Sequence, residues 1–164
     1  MTAESRIERL GHVALWVRDL ERSEAFYCDI LGLKKVTVYK ARILFLRASE
    51  SIESHDLALI RIFSGGNEVK ECKSCINHCA WKVSTFADLQ YFYDSLRVLG
   101  LKLQVLDHGI ALGIYFSDPD GHRIEIYHEL PILDLMLDQD DGKGSLQYPN
   151  KLKTHDGESP TRWY

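Results

Sequence analysis

From Glu8 to Val17 apolar and polar residues alternate, the period of a strand with one buried face. Asp19 then offers an N-cap, and Leu20, Ala25 or Phe26, and Ile30 recur at helical spacing over residues 20–31, where Gly32 is placed to end the helix. Strands are predicted at 34–39, 42–48 and 55–63. Gly65-Gly66-Asn67 and the charged stretch to Lys73 read as a linker. The same order then returns: a strand over 76–84, a helix over 86–98 closed by Gly100, and strands near 102–107, 111–117 and 122–128. Asp118-Pro119-Asp120-Gly121 is a turn signal that joins the last two strands as a hairpin. Each half therefore reads β-α-β-β-β.

The duplication extends to individual letters. His12-Val-Ala-Leu-Trp-Val17 is echoed by His78-Cys-Ala-Trp-Lys-Val83, Phe26-Tyr27 by Phe92-Tyr93, and Leu31-Gly-Leu-Lys34 by Leu99-Gly-Leu-Lys102. A repeated unit that cannot bury its own apolar face packs on its twin. That pairing brings the two histidines toward a shared cleft, which is the beginning of a metal site. Residues 1–130 are expected to form one domain of two modules, 7–64 and 75–130. Residues 131–164 break the pattern and are expected to be an extended tail, docking through Leu133, Leu135, Met136 and Trp163-Tyr164 on this domain or on a neighbour.

Composition narrows the function classes. At 164 residues with 45% hydrophobic and 27% charged residues, the chain reads as one globular domain. A net charge of −4 with no basic patch gives no footprint for nucleic acid. No apolar run approaches the roughly 18 residues of a membrane span. The opening Met1-Thr-Ala-Glu-Ser-Arg6 has no secretory h-region. A cytoplasmic protein with reduced thiols is expected. Cys72, Cys75 and Cys79 with His78 contain a Cys-x2-Cys spacing, but only Cys28 remains elsewhere to complete a structural zinc site. Plain thiols fit the incomplete pattern better.

Two β-α-β-β-β copies, a histidine opening each and a glutamate in the last strand resemble the vicinal-oxygen-chelate superfamily over about residues 7–130. That superfamily includes glyoxalase I, the fosfomycin- and bleomycin-resistance proteins and the type I extradiol dioxygenases. The resemblance implies an α+β fold whose paired modules form a cupped mixed sheet around a divalent metal. Within the superfamily the chain is most similar to the small one-domain extradiol dioxygenases. Their signature is a His, five to seven residues, an apolar residue and Tyr, two residues, an acidic or small residue, Pro, one residue, Gly or Pro, two or three residues, then Glu. Here stand His108, Ile114-Tyr115, Asp118-Pro119, Gly121 and Glu125. The sequence departs from the pattern at Leu106, two residues before His108.

By that resemblance His12, His78 and Glu125 are the metal ligands, His55 is the catalytic acid–base histidine, and His108 and Tyr115 are substrate-binding neighbours. Two imidazoles and one carboxylate form a facial triad suited to Fe(II), with Mn(II) also accepted. Glyoxalase-type sites of the superfamily take a further ligand from the first module. Counting from the Leu-Gly-Leu-Lys landmarks, that place is Leu57, within the apolar run Leu57 to Ile60. The implied reaction is ring cleavage of a catechol-type diol, with both atoms of O2 inserted into the substrate, by a chain that forms homo-oligomers. Two alternatives stay open: a glyoxalase-like isomerase or transferase, and a metal-free drug-binding module.

Each residue also has an ordinary role open to it. A strand histidine is more often a hydrogen-bonded neighbour than a ligand, His55 can cap a turn, and Tyr115 can be strand packing. Glu125 between Ile124 and Ile126 is harder to dismiss, because an unpaired carboxylate there is costly to bury. His122 and His128 read as surface residues, and His155 lies in the tail.

Overall fold

A computed structural model, describing residues 8–62, 76–129, 152 and 161–162, contains the β-α-β-β-β order in each of two units, Met1–Cys72 and Lys73–Tyr164. The architecture is α+β. The first unit runs β1 (Val13–Val17), α1 (Leu20–Ala25), β2 (Lys34–Tyr39), β3 (Ile43–Arg47) and β4 (Leu57–Arg61). Its sheet order is β1-β4-β3-β2, with β1 parallel to β4 and the other pairs antiparallel. Alternation along the strands sorts the side chains. Leu15, Val17, Leu44, Leu46, Leu57 and Leu59 are buried on one face, and α1 with its buried Leu20 packs on β3 and β4.

The helix expected over 20–31 is α-helical only to Ala25. Asp19 caps it as anticipated, its carboxylate accepting from the Arg22 N–H at 2.9 Å. Phe26–Ile30 then form a π-helical turn, closed where the Leu31 N–H donates to the Phe26 carbonyl. The wider turn brings two consecutive rings, Phe26 and Tyr27, into the core, where they meet edge to face at 5.3 Å. A second local feature had no sequence signal. Lys40 and Ala41 both take positive φ, which is how a two-residue turn matches the twist of strands β2 and β3.

The second unit runs β5 (Cys79–Lys82), α2 (Phe86–Val98), β6 (Gln104–Asp107), β7 (Ala111–Ser117) and β8 (Arg123–Glu129). A capping box opens α2: the Thr85 hydroxyl accepts from the Asp88 N–H, and the Asp88 carboxylate accepts from the Thr85 N–H. The sheet order is β5-β8-β7-β6-β9, where β9 (Thr161–Arg162) pairs parallel with β6. This short strand lies within the segment expected to be an extended tail. Leu133, Leu135, Met136, Trp163, Tyr164, His155, Cys72 and Cys75 lie outside the described residues. Cys28 and Cys79 are free thiols, both pushed above the ordinary thiol value by burial. Among the described residues no helix is long and apolar enough to cross a membrane.

Helix α2 packs on β8 through its buried Leu89, Tyr93 and Leu96. Ile114, Ile124 and Ile126 are fully or almost fully buried beneath it. Leu89→Ala therefore removes buried methyl groups and is expected to cost about 2–5 kcal/mol. Tyr91→Ala, on the exposed face of the same helix, is expected to change stability little. Denaturant midpoints of the two variants check the assignment of the helix face.

Candidate functional site

The pairing register fixes which residues share a face of the second sheet. Ala80 lies beside Glu125, Glu125 beside Tyr115, and Tyr115 beside Gln104, across all four main strands. Since Ile124 and Ile126 point to the helix, this row and Gly113, two residues before Tyr115, occupy the opposite face. His78, just before β5, and His108, in the turn between β6 and β7, add their rings to it. That turn is held by the His108 N–H on the Ala111 carbonyl and by the Gly109 N–H on the Asp107 carboxylate. Gly109 takes φ +76 there, a conformation that suits glycine.

Glu125 is the centre of this cluster. It is buried, with 6% of its surface exposed. One carboxylate oxygen, Oε2, stands 3.0 Å from His78 Nε2, and the other, Oε1, stands 3.6 Å from His108 Nε2. On its far side the His78 ring bonds Asn77: Nδ1 is 2.8 Å from the Asn77 amide oxygen, so Nδ1 carries the proton and donates. In the neutral ring that leaves Nε2 as a bare acceptor, facing another acceptor. Such a pair calls for a proton or a cation between its members.

Tyr115 is tied to the same acid. Burial first, then its hydrogen bond to Glu125 and the charge of Glu125, hold the phenol well above its ordinary value of 10. Tyr115 therefore stays protonated and donates to the carboxylate. Its hydroxyl oxygen is 2.9 Å from His108 Nε2, which in turn supplies the N–H. The Arg123 guanidinium lies over the Tyr115 ring at 4.5 Å and donates to the Gln104 side-chain oxygen. Sequence reasoning did not single out Arg123, and only its position two residues before Glu125 on the same strand face could have signalled it.

The first unit carries the other two candidates. The His12 and His55 rings lie 4.5 Å apart, and Phe45 meets His55 edge to face at 4.8 Å. His55 Nδ1 is 3.0 Å from the Ser54 hydroxyl. Among the described residues no three His, Cys, Asp or Glu side chains form a group that could hold a metal ion. His78 and Glu125 stand together in the second unit, and His12 lies beside His55 in the first.

The register also corrects the place equivalent to Glu125 in the first unit. Ala80 pairs with Glu125, and its counterpart Ala14 pairs with Ala58. The equivalent position is thus Ala58; the landmark count chose Leu57, which faces α1 with its neighbour Leu59. The inference survives the shift, since alanine supplies no oxygen donor either. His122 and His128 also have fixed partners. His122 Nδ1 is 2.8 Å from the buried Asp118 carboxylate, which also accepts from the Asp120 and His122 N–H groups and so organises the hairpin turn. His128 Nδ1 donates to the Val83 carbonyl at 3.2 Å.

Comparison with known proteins gives these features a family. The chain is similar to the manganese-dependent 2,3-dihydroxybiphenyl 1,2-dioxygenase of Geobacillus genomosp. 3, with 34% identity over 79% of this chain and 39% of that protein. It is also similar to a probable lactoylglutathione lyase of Synechocystis sp., with 27% identity over 71% of this chain and 92% of that one. The chain spans less than half the length of the dioxygenase. Among solved structures, the fosfomycin resistance protein FosX of Mesorhizobium loti superposes with a TM-score of 0.57 at 25% identity, over 79% of this chain and 98% of that one. The model of the Glyoxalase/Bleomycin resistance protein/Dioxygenase superfamily matches residues 9–126, and the chain belongs to that superfamily.

Proposed function

We propose that this chain is a metal-dependent extradiol dioxygenase that opens the ring of a catechol-type diol with O2. The observation that carries the reading is the approach of His78 Nε2 to the buried Glu125 Oε2, at 3.0 Å, beside a tyrosine held protonated. The residues present therefore fit a divalent cation, which His78, Glu125 and His12 would hold. Fe(II) and Mn(II) both suit two imidazoles and a carboxylate. A divalent metal held there would polarise the oxygens of a vicinal diol.

The protein's own groups supply the rest. When a substrate binds, the Tyr115 hydroxyl, still protonated, turns from Glu125 to give its one hydrogen bond to a substrate oxygen on the face of the sheet. His108 fixes the Tyr115 hydroxyl from the other side. His55 stands apart from the Glu125 cluster in the sequence and carries the proton that ring opening requires. Ala58 leaves the place equivalent to Glu125 without a donor, which favours a reaction in which two reactants share the site. The length match to the lyase supports a second reading, a vicinal-oxygen reaction that consumes no O2.

Oxygen uptake by protein reconstituted anaerobically with Fe(II), across a panel of substituted catechols, separates the two. Consumption of one O2 per catechol is the expected result, and no uptake with any catechol or with Mn(II) sinks the dioxygenase reading. His78→Ala is expected to lose the metal. His55→Ala is expected to keep metal and catechol binding while turnover falls by about 10²–10⁴-fold; wild-type turnover would show that His55 carries no proton.

Tyr115 gives a pH signature. A phenol whose folded-state pKa is raised stabilises the fold fully below the unfolded value near 10, and that contribution is lost as pH rises through the folded value. Unfolding followed above pH 10 is expected to show an alkaline loss of stability that Tyr115→Phe makes shallower. Identical profiles for the two proteins would contradict the bond to Glu125.

A further inference from the structure

We infer that Gly113 is a positioning residue for the Glu125 carboxylate, the bare backbone at 113 being the seat on which the acid lies. The inference rests on the proposed metal site and names what holds its carboxylate in place. A Cβ built on Gly113 would fall 2.2 Å from Glu125 Oε1 and 3.2 Å from Cδ, with Tyr115 Cε2 at 3.1 Å. No side chain fits there while the acid keeps its present direction.

Backbone geometry does not explain the glycine. The positive-φ glycines of the described residues are Gly32, Gly100, Gly109 and Gly121, and Gly113 is not among them. It sits in the middle of β7, paired with Tyr127 and Leu106, where a glycine weakens a strand. Such a position usually marks a close approach by another group.

The first unit shows the same place filled the other way. By register Ile43 corresponds to Gly113, Phe45 to Tyr115 and Ala58 to Glu125. Where the acid is replaced by the smallest side chain, the glycine is replaced by a branched one. Volume is exchanged between neighbouring positions of one sheet face. The site's acid and its seat go together.

The direction of the effect follows from which atom yields. The close contact is with the far end of a flexible side chain, so a methyl group at 113 is relieved by swinging the carboxylate rather than by moving the strand. Oε1 lies over Gly113 while Oε2 faces His78, so displacing the first oxygen carries the second away from the imidazole. The fold is kept and the ligand pair is broken.

The test uses the full chain and Mn(II), followed by the electron paramagnetic resonance of the free ion. Gly113→Ala is expected to unfold cooperatively, close to the wild-type temperature. Its Mn(II) affinity is expected to be at least about tenfold weaker, or about 1.4 kcal/mol. A crystal structure of the metal-free variant is expected to show the carboxylate displaced over an unmoved strand. Equal affinity, or an unmoved carboxylate above a shifted strand, overturns the inference while leaving the metal site standing. A wild-type protein that binds neither Mn(II) nor Fe(II) removes the metal site itself, and the inference with it. If Gly113→Ala fails to fold, the double variant Gly113→Ala/Glu125→Ala decides. A folded double variant supports the steric seat, and an unfolded one overturns it.

Discussion

A carboxylate held away from water beside an imidazole nitrogen is the constraint around which the second unit is arranged. Burial makes an anion costly unless donors converge on it; here the Tyr115 phenol donates to it, and the His78 and His108 Nε2 atoms stand 3.0 and 3.6 Å from its oxygens. Each of those partners is fixed in turn. Asn77 sets the tautomer of His78, a two-bond turn holds His108, and Arg123 covers the Tyr115 ring. The second layer of contacts turns a residue that would destabilise an apolar sheet into one with a defined direction.

The duplicated architecture gives the constraint a built-in comparison. Both units place leucines or isoleucines under a helix at alternate strand positions, so their covered faces are interchangeable in character. The opposite faces have diverged. The first carries Ile43, Phe45 and Ala58, and the second carries Gly113, Tyr115 and Glu125 at matching places. One sheet keeps only apolar side chains at these three places, and the other has gathered hydrogen-bonding chemistry. Since a strand has two faces with independent partners, such divergence leaves the core beneath it unaffected.

Much of this was legible from the residues alone. Periodicity found the eight strands and two helices of the repeat, with α2, β2 and β7 at the expected bounds, helped by the chemically explicit stops at Gly100 and Asp118 to Gly121. His78, Glu125, His108 and Tyr115, four of the residues that the resemblance singled out, stand together in the second unit. What escaped was tertiary. The π-helical turn at Phe26–Ile30 answers to the packing of two adjacent rings, and the Lys40-Ala41 turn to strand twist, neither of which leaves a propensity signal. Landmark counting missed Ala58 by one residue, and in a strand one residue is the difference between two faces. Short β9 escaped because two residues carry no period.

That last strand has a consequence for how the molecule keeps to itself. Without Thr161–Arg162, β6 would end its sheet with a row of unpaired amides and carbonyls, the template on which other polypeptides add. Thr161–Arg162 take up part of that row, beside Leu106 and Asp107, so a piece of the same chain shortens the stretch of β6 on which another polypeptide could add.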